Sequence, residues 1–270
     1  MIDLAVIMSV YHADNLQFVK ESVESILNQS FSNFDYYIVF DGPVADDVDS
    51  YISSLRDPRI KLHRLEANKG LAFALNYLLE IVLQQPEIKF IARMDADDIS
   101  MPDRFKKQRD ILLENKEISC VGSWYEEIDH DGKHLSFRKL PIEHDELRKR
   151  YLIRTPFVHP CVMYHRRLIK LAGLYPTDTI LMEDHVLWGK ALKFKLIFAN
   201  LPEYLLLYRK DREFYKRRSG IKYGWNYIKT RFSINKTLML PFYSYILTSF
   251  IGIFKMMPFI IVKLAYRNLK

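Results

Sequence analysis

Hydrophobic residues in the first half of the chain follow two patterns. Runs rich in apolar, β-branched and aromatic residues, typical of strands, cover 4–10, 34–40, 60–65, 88–94 and 118–128. Apolar residues three and four positions apart, typical of amphipathic helices, recur over 16–30, 71–85 and 104–116. Because strands and helices alternate, the chain is expected to form an α/β fold with a mixed, mostly parallel sheet flanked by helices.

The pattern becomes less regular towards residue 150 and beyond. Residues 144–153 have helical spacing, and 155–175 combines a turn, a strand and a short helix. Residues 182–194 predict a helix with an acidic first turn. The last apolar stretch, 196–209, predicts two short strands on either side of Asn200-Leu201-Pro202.

Acidic residues follow two of the predicted strands. Asp41 comes after the second strand, and Asp95, Asp97 and Asp98 come after the fourth. In open α/β sheets, ligands bind at the carboxyl ends of the strands. A D-x-D pair there suits Mn²⁺ or Mg²⁺ that is also bound to phosphate, because these ions prefer oxygen ligands. The alternative is a helix start, with the acids facing the positive end of the helix dipole.

The net charge of +7 conceals an asymmetry. From residue 209 onwards 14 Lys and Arg accompany 2 Asp and Glu, whereas residues 1–208 carry 26 basic and 31 acidic residues. The basic segment holds an uncharged run of 17 residues at 238–254, which is at the lower limit for a membrane-spanning helix. We therefore expect helices lying in the headgroup region or a shallow hairpin, with packing on the rest of the protein as the alternative.

Five segments in a fixed order resemble the family 2 glycosyltransferases. They are "VIMSVYH" (6–12), "SVESILNQSFSNFDYYIVFDGP" (22–43), "NKGLAFALN" (68–76), "ARMDADDISMPDRFKKQ" (92–108) and "MEDHVLW" (182–188). The third has the family's N-x-G-x-x-x-A-x-N pattern, the fourth its metal motif and the fifth its E-D motif. The resemblance spans residues 4–209 and is strongest to the bacterial branch that builds surface polysaccharides such as O-antigen.

The resemblance implies a GT-A fold, which is Rossmann-like and binds nucleotide sugars. Residues 1–208 would form the catalytic domain, with a nucleotide-binding half at 1–100 and an acceptor half at 101–208. Residues 209–270 would form basic, apolar C-terminal helices that associate with a membrane. The activity implied is inverting, metal-dependent transfer of a hexose from a UDP-sugar, with UDP-glucose or UDP-galactose preferred.

The resemblance also implies roles for residues on the donor side. Asp41 would bind the uracil, and Ser9 to Tyr11 would form the other side of the base pocket. Asn68 and Gly70 would lie beside the nucleotide. Asp95 would lie near the ribose and the metal, while Asp97 would bind the Mn²⁺ or Mg²⁺ that bridges the diphosphate. Arg93 would either contact the diphosphate or balance the acids next to it.

On the acceptor side, Asp184 would be the catalytic base. An inverting transfer is a single displacement, so one carboxylate must take the proton from the acceptor hydroxyl. Glu183, His159 and Trp188 would lie near the acceptor. Each has a structural alternative: Glu183 and Asp184 as acids in the first turn of a helix, His159 as a turn residue, and Trp188 as a core residue.

Two positions depart from the family's pattern. The second strand ends in Phe40-Asp41-Gly42-Pro43, where relatives often have Asp-Asp-Gly-Ser, but the base-binding Asp41 is present. Relatives often have a His shortly after Tyr-Arg, and none follows Tyr208-Arg209 here. An Arg or Lys from 209–218 is the expected substitute at the diphosphate.

The expected partners follow from the same resemblance. The acceptor would be a sugar linked to a polyprenyl diphosphate lipid, and the basic tail would hold the enzyme at the cytoplasmic face of the bacterial inner membrane. No nucleic-acid motif accompanies the basic and aromatic residues of the tail, so nucleic acid is not an expected partner. Two other interpretations are a membrane-bound scaffold with a degenerate transferase fold and another metal-dependent, nucleotide-using transferase. The latter is disfavoured because "SVYHADN" lacks glycine.

Overall fold

The computed structural model describes residues 2–210 and 213–268. Its strands form one sheet in the order β3-β2-β1-β4-β8-β6-β9-β5, with β7 also paired to β6. The strands in the described residues are β1 (Leu4–Val10), β2 (Phe34–Phe40), β3 (Ile60–Arg64), β4 (Phe90–Asp95), β5 (Ile99–Ser100), β6 (Ile118–Ile128), β7 (His134–Arg138), β8 (Met163–His165) and β9 (Ile197–Arg209).

Helices cover both faces of the sheet and form the C-terminal region. Those in the described residues are α1 (Leu16–Leu27), α2 (Asp46–Ser54), α3 (Leu71–Leu83), α4 (Arg104–Glu114), α5 (His144–Tyr151), α6 (Arg167–Ala172), α7 (Glu183–Lys193), α8 (Phe214–Arg217), α9 (Ile221–Thr237), α10 (Tyr243–Met256) and α11 (Phe259–Asn268). A 3-10 turn, His159–Cys161, lies between α5 and β8.

The first half of the sheet is parallel, as the sequence predicts. β1 lies between β2 and β4 and is parallel to both, and β3 extends the sheet beyond β2. Alternate residues of β1 enter different cores: Ile7 faces the core that contains α3, while Val6 and Met8 face the core that contains α1. Burial on both faces explains why this strand is apolar throughout, and it brings all the parallel strand ends to one edge.

The second half of the sheet is mixed. β8 is antiparallel to both β4 and β6, whereas β9 is parallel to β6. The prediction of two short strands over 196–209 is wrong, because β9 is continuous. Ser123 of β6 pairs with Leu201 and the next residue, Trp124, pairs with Tyr204. This shift in register places Pro202 in a β-bulge. Proline has no backbone N–H to donate, and at a bulge its absence breaks no hydrogen bond between the two strands.

Three elements were not predicted from the sequence. α2 begins with acids at Asp46, Asp47 and Asp49, a signal for a helix start. β7 follows Asp131-Gly132, a common hairpin turn, and pairs antiparallel with β6. β5 has only two residues, too few for any periodic pattern to show.

The helix α9 connects the C-terminal region to the rest of the protein. Its Ile234 is buried in the same hydrophobic cluster as Leu187 and Trp188 of α7. Arg231 of α9 is also buried, and its Nη2 donates a hydrogen bond to the carbonyl oxygen of Leu152 at 2.9 Å. The predicted domain boundary at 208/209 therefore divides the chain into two segments whose residues pack in the same hydrophobic core. Residues 211, 212, 269 and 270 of the predicted tail lie outside the described residues.

The helix α10 folds back on α9 with its polar side inward. Ser244, Thr248, Gly252 and Lys255 are buried against α9, where Asn235 donates a hydrogen bond to Thr248 at 3.2 Å. The outward residues are apolar and exposed: Ile246 at 46%, Phe250 at 69% and Ile253 at 54%. Neither α10 nor any other helix within 2–210 and 213–268 has the length and hydrophobicity needed to cross a membrane.

Candidate active site

The strand register brings the predicted donor residues to one edge of the sheet. Ser9, near the end of β1, is the register partner of Val39 on β2 and of Asp95 at the end of β4. Asp41 follows β2 directly, and its backbone N–H donates a hydrogen bond to the carbonyl oxygen of Val10 at 2.8 Å. Ser9, Asp41 and Asp95 therefore lie along a continuous edge, and Tyr11 follows β1 at the same edge.

Asp41 joins this edge to the start of α3. Its carboxylate is buried and accepts hydrogen bonds from the backbone N–H groups of Lys69 at 2.7 Å and Gly70 at 2.8 Å. Gly42 has a φ of +81°, and a side chain there would collide with the backbone at Asn68. The structure thus places Asp41, Asn68 and Gly70 together, as the family resemblance implies.

Three carboxylates converge on the loop after β4. Asp95, Asp97 and Asp98 each offer an oxygen, and these oxygens lie within 4.8 Å of one another. Asp98 is fully buried; its Oδ1 accepts a hydrogen bond from the backbone N–H of Arg209 at 2.7 Å, while its Oδ2 has no hydrogen-bond partner. Clustered carboxylates with an unsatisfied buried oxygen suit a hard divalent cation, so these residues fit Mn²⁺ or Mg²⁺.

The mutual repulsion of these acids is evident in their electrostatics. Burial raises the pKa of Asp98 well above its ordinary value, and the charges of Asp97 and Asp95 act in the same direction. Arg93, 1% exposed, forms an ion pair with Asp95. Burial opposes the charge of Arg93, but the attraction of Asp95 raises the pKa of the guanidinium overall. Of the two roles predicted for Arg93, this contact provides the balance of charge.

Arg209 stabilises the acid loop, which is the loop after β4 that carries Asp95, Asp97 and Asp98. Its guanidinium donates to the carbonyl oxygen of Asp97 at 2.9 Å, to Glu21 at 2.5 Å and to the carbonyl oxygens of Asp129 and His130 at 3.3 and 3.2 Å. These contacts occupy the buried guanidinium of Arg209, and the expected substitute at the diphosphate, an Arg or Lys from 209–218, stays a prediction. Arg212, within the same predicted range, lies outside the described residues.

Asp14 is an additional acid near this loop that was not predicted. Its Oδ2 accepts a hydrogen bond from the backbone N–H of Tyr11 at 2.9 Å. Burial raises the pKa of Asp14 to about 8, and the nearby charges of Asp97 and Asp95 contribute to the rise. The only sequence signal was an acid in the turn after β1, where the resemblance implies the base pocket.

Asp184 and Glu183 lie in the first turn of α7. The Oδ1 of Asp184 accepts a hydrogen bond from the backbone N–H of His185 at 2.7 Å, and it lies 3.2 Å from Nδ1 of the same residue. Burial opposes ionisation of Asp184, but His185 and then His159 hold its pKa well below the ordinary value. Burial and the charge of Asp184 raise the pKa of Glu183. The pair thus provides one anionic carboxylate beside one that retains its proton more readily.

His159 is within electrostatic reach of both Asp95 and Asp184. Burial lowers its pKa to about 3, with Arg93 acting in the same direction and with Asp184 and Asp95 opposing it. Its Nε2 is 2.9 Å from the hydroxyl of Tyr175. The imidazole is therefore neutral at ordinary pH, and it lies in the 3-10 turn His159–Cys161, where the residue is partly buried.

Trp188 occupies the core behind His159. The indole is fully buried, and it contacts the imidazole edge to face with 6.3 Å between ring centroids. Phe157 also packs against the indole of Trp188, with 5.2 Å between ring centroids. Trp188 is therefore a core residue, and its contribution to the site is its packing against the imidazole of His159.

Comparison with known proteins identifies the fold and then the family. A mannosyltransferase from Pyrobaculum calidifontis, solved with GDP-Man and Mn²⁺, superposes with a TM-score of 0.66 at 16% identity, covering 92% of this chain and 69% of that one. The chain thus has the GT-A fold of sugar transferases. Residues 5–171 match the family model for glycosyl transferase family 2.

Two curated relatives extend over most of the chain. The UDP-Gal:alpha-D-GlcNAc-diphosphoundecaprenol beta-1,3-galactosyltransferase of Escherichia coli is 30% identical over 93% of this chain and 90% of its own length. The amylovoran biosynthesis glycosyltransferase AmsE of Erwinia amylovora is 30% identical over 84% and 82%. The chain belongs to glycosyltransferase family 2. The predicted fold and enzyme class are confirmed, while the roles of individual site residues remain predictions.

Proposed function

We propose that the protein is an inverting, metal-dependent transferase that moves a hexose from a UDP-sugar to a hydroxyl of a lipid-linked sugar acceptor. The observation that supports this best is the presence of two acidic sites on different elements, one on the loop after β4 and one at the start of α7. One site is the cluster of Asp95, Asp97 and Asp98, and the other is the anionic Asp184. The E. coli relative, whose name gives a UDP-Gal donor and a diphosphoundecaprenol acceptor, supports the substrate class.

The donor edge has the groups that a nucleotide needs. Each oxygen of Asp41 accepts one backbone hydrogen bond, and a carboxylate oxygen can accept two. Asp41 therefore keeps lone pairs for the N–H of a uracil, while Ser9 and Tyr11 would form the opposite side of the base pocket. Asn68, exposed beside Asp41, and Gly70 would border the nucleotide.

The acid cluster would hold the divalent cation. Asp95 and Asp97 are the ligands that the family resemblance implies, and the unpaired Oδ2 of Asp98 makes it a third. When bound, Mn²⁺ or Mg²⁺ neutralises the charge that develops on the leaving UDP. The guanidinium of Arg209 donates a hydrogen bond to the carbonyl oxygen of Asp97, and this contact helps to maintain the geometry of the acid loop.

Asp184 would be the catalytic base. A base must be ionised before it can take the proton of the acceptor hydroxyl, and the lowered pKa of Asp184 favours its ionised form. In a single displacement, the acceptor oxygen attacks the anomeric carbon opposite the leaving UDP. An α-linked UDP-hexose then gives a β-linked product, and UDP leaves with the electrons of the broken bond.

The outer face of α10 would lie on the cytoplasmic leaflet of the inner membrane. A helix with small and polar residues inward and Ile246, Phe250 and Ile253 outward exposes the surface that water-soluble proteins normally bury. The basic residues of 209–270 suit anionic headgroups near such a face. This position would bring the active site to a lipid-linked acceptor during assembly of O-antigen, capsule or exopolysaccharide.

A panel of UDP-sugars tests the proposal. With Mn²⁺ present, the purified protein should release UDP from one UDP-hexose, with UDP-galactose and UDP-glucose as the first candidates. Chelation of the metal and Asp97→Ala should each abolish the release, whereas Asp110→Ala, which removes an exposed acid on α4, should not. A folded protein that releases no UDP from any UDP-sugar would instead favour the scaffold interpretation.

A further inference from the structure

Asn76, the last residue of the N-x-G-x-x-x-A-x-N segment, clamps a distant part of the chain. Its Nδ2 donates a hydrogen bond to the carbonyl oxygen of Tyr175 at 2.8 Å, and its Oδ1 accepts one from the backbone N–H of Tyr175 at 2.9 Å. Both groups of the amide are therefore used on one residue. The first turn of the same helix, α3, is held by Asp41 at the donor edge.

Tyr175 lies in the segment 173–182, which has neither helix nor strand and leads into α7. Two hydrogen bonds to a single residue fix the position of a segment that has no ladder of its own. The side chain of Tyr175 is buried, and its hydroxyl lies 2.9 Å from Nε2 of His159. The backbone of Tyr175 is thus held by the donor half of the protein, while its side chain contacts the acceptor half.

The contact with Tyr175 determines the orientation of the imidazole. A hydrogen bond to one nitrogen restricts rotation of a histidine ring, so its other nitrogen faces a defined direction. Trp188 fixes the plane of the ring by edge-to-face packing. The charges of Arg93, Asp95 and Asp184 all act on this imidazole.

We propose that Asn76 and Tyr175 are positioning residues. They hold His159 and the segment that leads into α7 at a fixed position relative to the donor edge of the sheet. The amide of Asn76 fixes the backbone of Tyr175, and the hydroxyl of Tyr175 fixes the imidazole beside Asp184. Loss of either contact lets the base and the donor move relative to each other without removing a group that binds the donor. The kinetic part of this inference rests on the proposed function.

Two variants and one matched control test the clamp. Tyr175→Phe keeps the backbone clamp and removes only the hydroxyl, while Asn76→Ala removes the clamp. Asn226→Ala is the control, because Asn226 also holds this segment, through one hydrogen bond to the carbonyl oxygen of Ile180 at 3.1 Å. The readouts are kcat, the donor KM and the ¹⁵N resonances of His159 in histidine-labelled protein, assigned by their loss in His159→Asn.

Tyr175→Phe and Asn76→Ala should each lower kcat by about tenfold or more, since small misplacements of reacting groups have effects of this order. The donor KM should change less than about twofold, because no donor-binding group is removed. The His159 resonances should shift in both variants and stay in place in Asn226→Ala. Unchanged kcat and resonances in Tyr175→Phe would overturn the proposal, and so would equal effects in the control.

The resonances separate this inference from the proposed function. A wild-type protein without transferase activity would defeat the proposed function, while the His159 resonances of Asn76→Ala, which lacks the clamp, would still show whether the clamp positions the imidazole. If Asn76→Ala does not fold, the resonances of Tyr175→Phe still test the contact between the hydroxyl and His159, since the backbone contacts of residue 175 are intact. Resonances that shift support the positioning of His159 by Tyr175, and resonances that do not shift contradict it.

Discussion

The backbone N–H of Arg209 donates a 2.7 Å hydrogen bond to Oδ1 of Asp98, although 111 positions separate the two residues. This contact joins the end of β9 to the acid loop after β4. It uses one oxygen of Asp98 and leaves the other, Oδ2, buried and without a partner in the cluster with Asp95 and Asp97. Asp98 therefore combines support of the loop with a free ligand atom.

Asp98→Asn should weaken Mn²⁺ binding by about 10- to 100-fold without unfolding the protein. Asparagine can still accept the hydrogen bond from Arg209 through its amide oxygen, but it brings no negative charge to the cluster. Titration of Mn²⁺ followed by electron paramagnetic resonance measures the affinity. Asp110→Asn, on the surface of α4, should bind as the wild type does. An unchanged affinity in Asp98→Asn would exclude Asp98 as a ligand.

Arg209→Lys should lower the free energy of unfolding by about 2–4 kcal/mol. The guanidinium of Arg209 serves four acceptors in a fixed plane, and an ammonium group cannot reach all of them. Urea unfolding measures the change. The control is Arg64→Lys, because Arg64 pairs with Asp49 on the surface, and we expect a loss below about 1 kcal/mol there. Equal losses in the two variants would show that the buried contacts of Arg209 add nothing.

The lowered pKa of His159 predicts a loss of stability in acid. Its pKa is about 3 in the folded protein against an ordinary value of 6.5, so below pH 6.5 the unfolded chain binds a proton that the folded chain does not. This group alone should lower the free energy of unfolding by up to about 1.4 kcal/mol per pH unit between pH 6.5 and 3. Urea unfolding at pH 7.0, 5.5 and 4.5 should give a shallower decline in His159→Gln than in the wild type. Parallel declines would contradict a depressed pKa at His159.

Membrane binding should depend on the outer face of α10. Phe250→Asp should reduce binding to vesicles that contain phosphatidylglycerol by more than about tenfold, because burial of a Phe contributes roughly 1.5–3 kcal/mol. Phe137→Asp is the matched control, since Phe137 on β7 is 57% exposed but lies outside the C-terminal helices. Sedimentation with vesicles gives the bound fraction. Equal binding by the two variants would show that this face of α10 is not the membrane contact.

The structure also limits how the C-terminal region can be truncated. Removal of residues 233–270 would delete Ile234, which packs in the core with α7, and Asn235, which bonds Thr248. Such a truncation would damage the catalytic core together with the membrane contact. Substitutions on the exposed face of α10 separate the two effects.

Local signals made much of the fold and site predictable. β1, β2 and β4 are continuous apolar runs, and Asp41 and Asp95 lie at or directly after the ends of strands that pair with β1. Asp184 lies in the first turn of a helix with clear start signals. Strand pairing in parallel order then brings the first two of these acids to one edge of the sheet, which is why their position could be inferred without a structure.

Contacts between distant segments could not be predicted in the same way. Asn76 and Tyr175 are 99 positions apart, and Arg209 contacts the carbonyl oxygen of Asp97 across 112 positions. Neither an asparagine inside a helix nor an arginine at a strand end has a periodicity that identifies its partner. The continuity of β9 through Pro202 was missed for the same reason, because the shift in register depends on β6.

The most direct test of the proposed function is transfer by Asp184→Asn. The wild type, with Mn²⁺ and the UDP-hexose identified in the panel, should add one hexose to a polyprenyl-diphosphate-linked sugar. In Asp184→Asn the amide oxygen can still accept the hydrogen bond from His185, so the protein should fold and bind UDP as the wild type does. Its kcat for transfer should fall by about 10²- to 10⁴-fold, because the anionic proton acceptor is gone. Transfer at the wild-type rate by Asp184→Asn would contradict the assignment of Asp184 as the base.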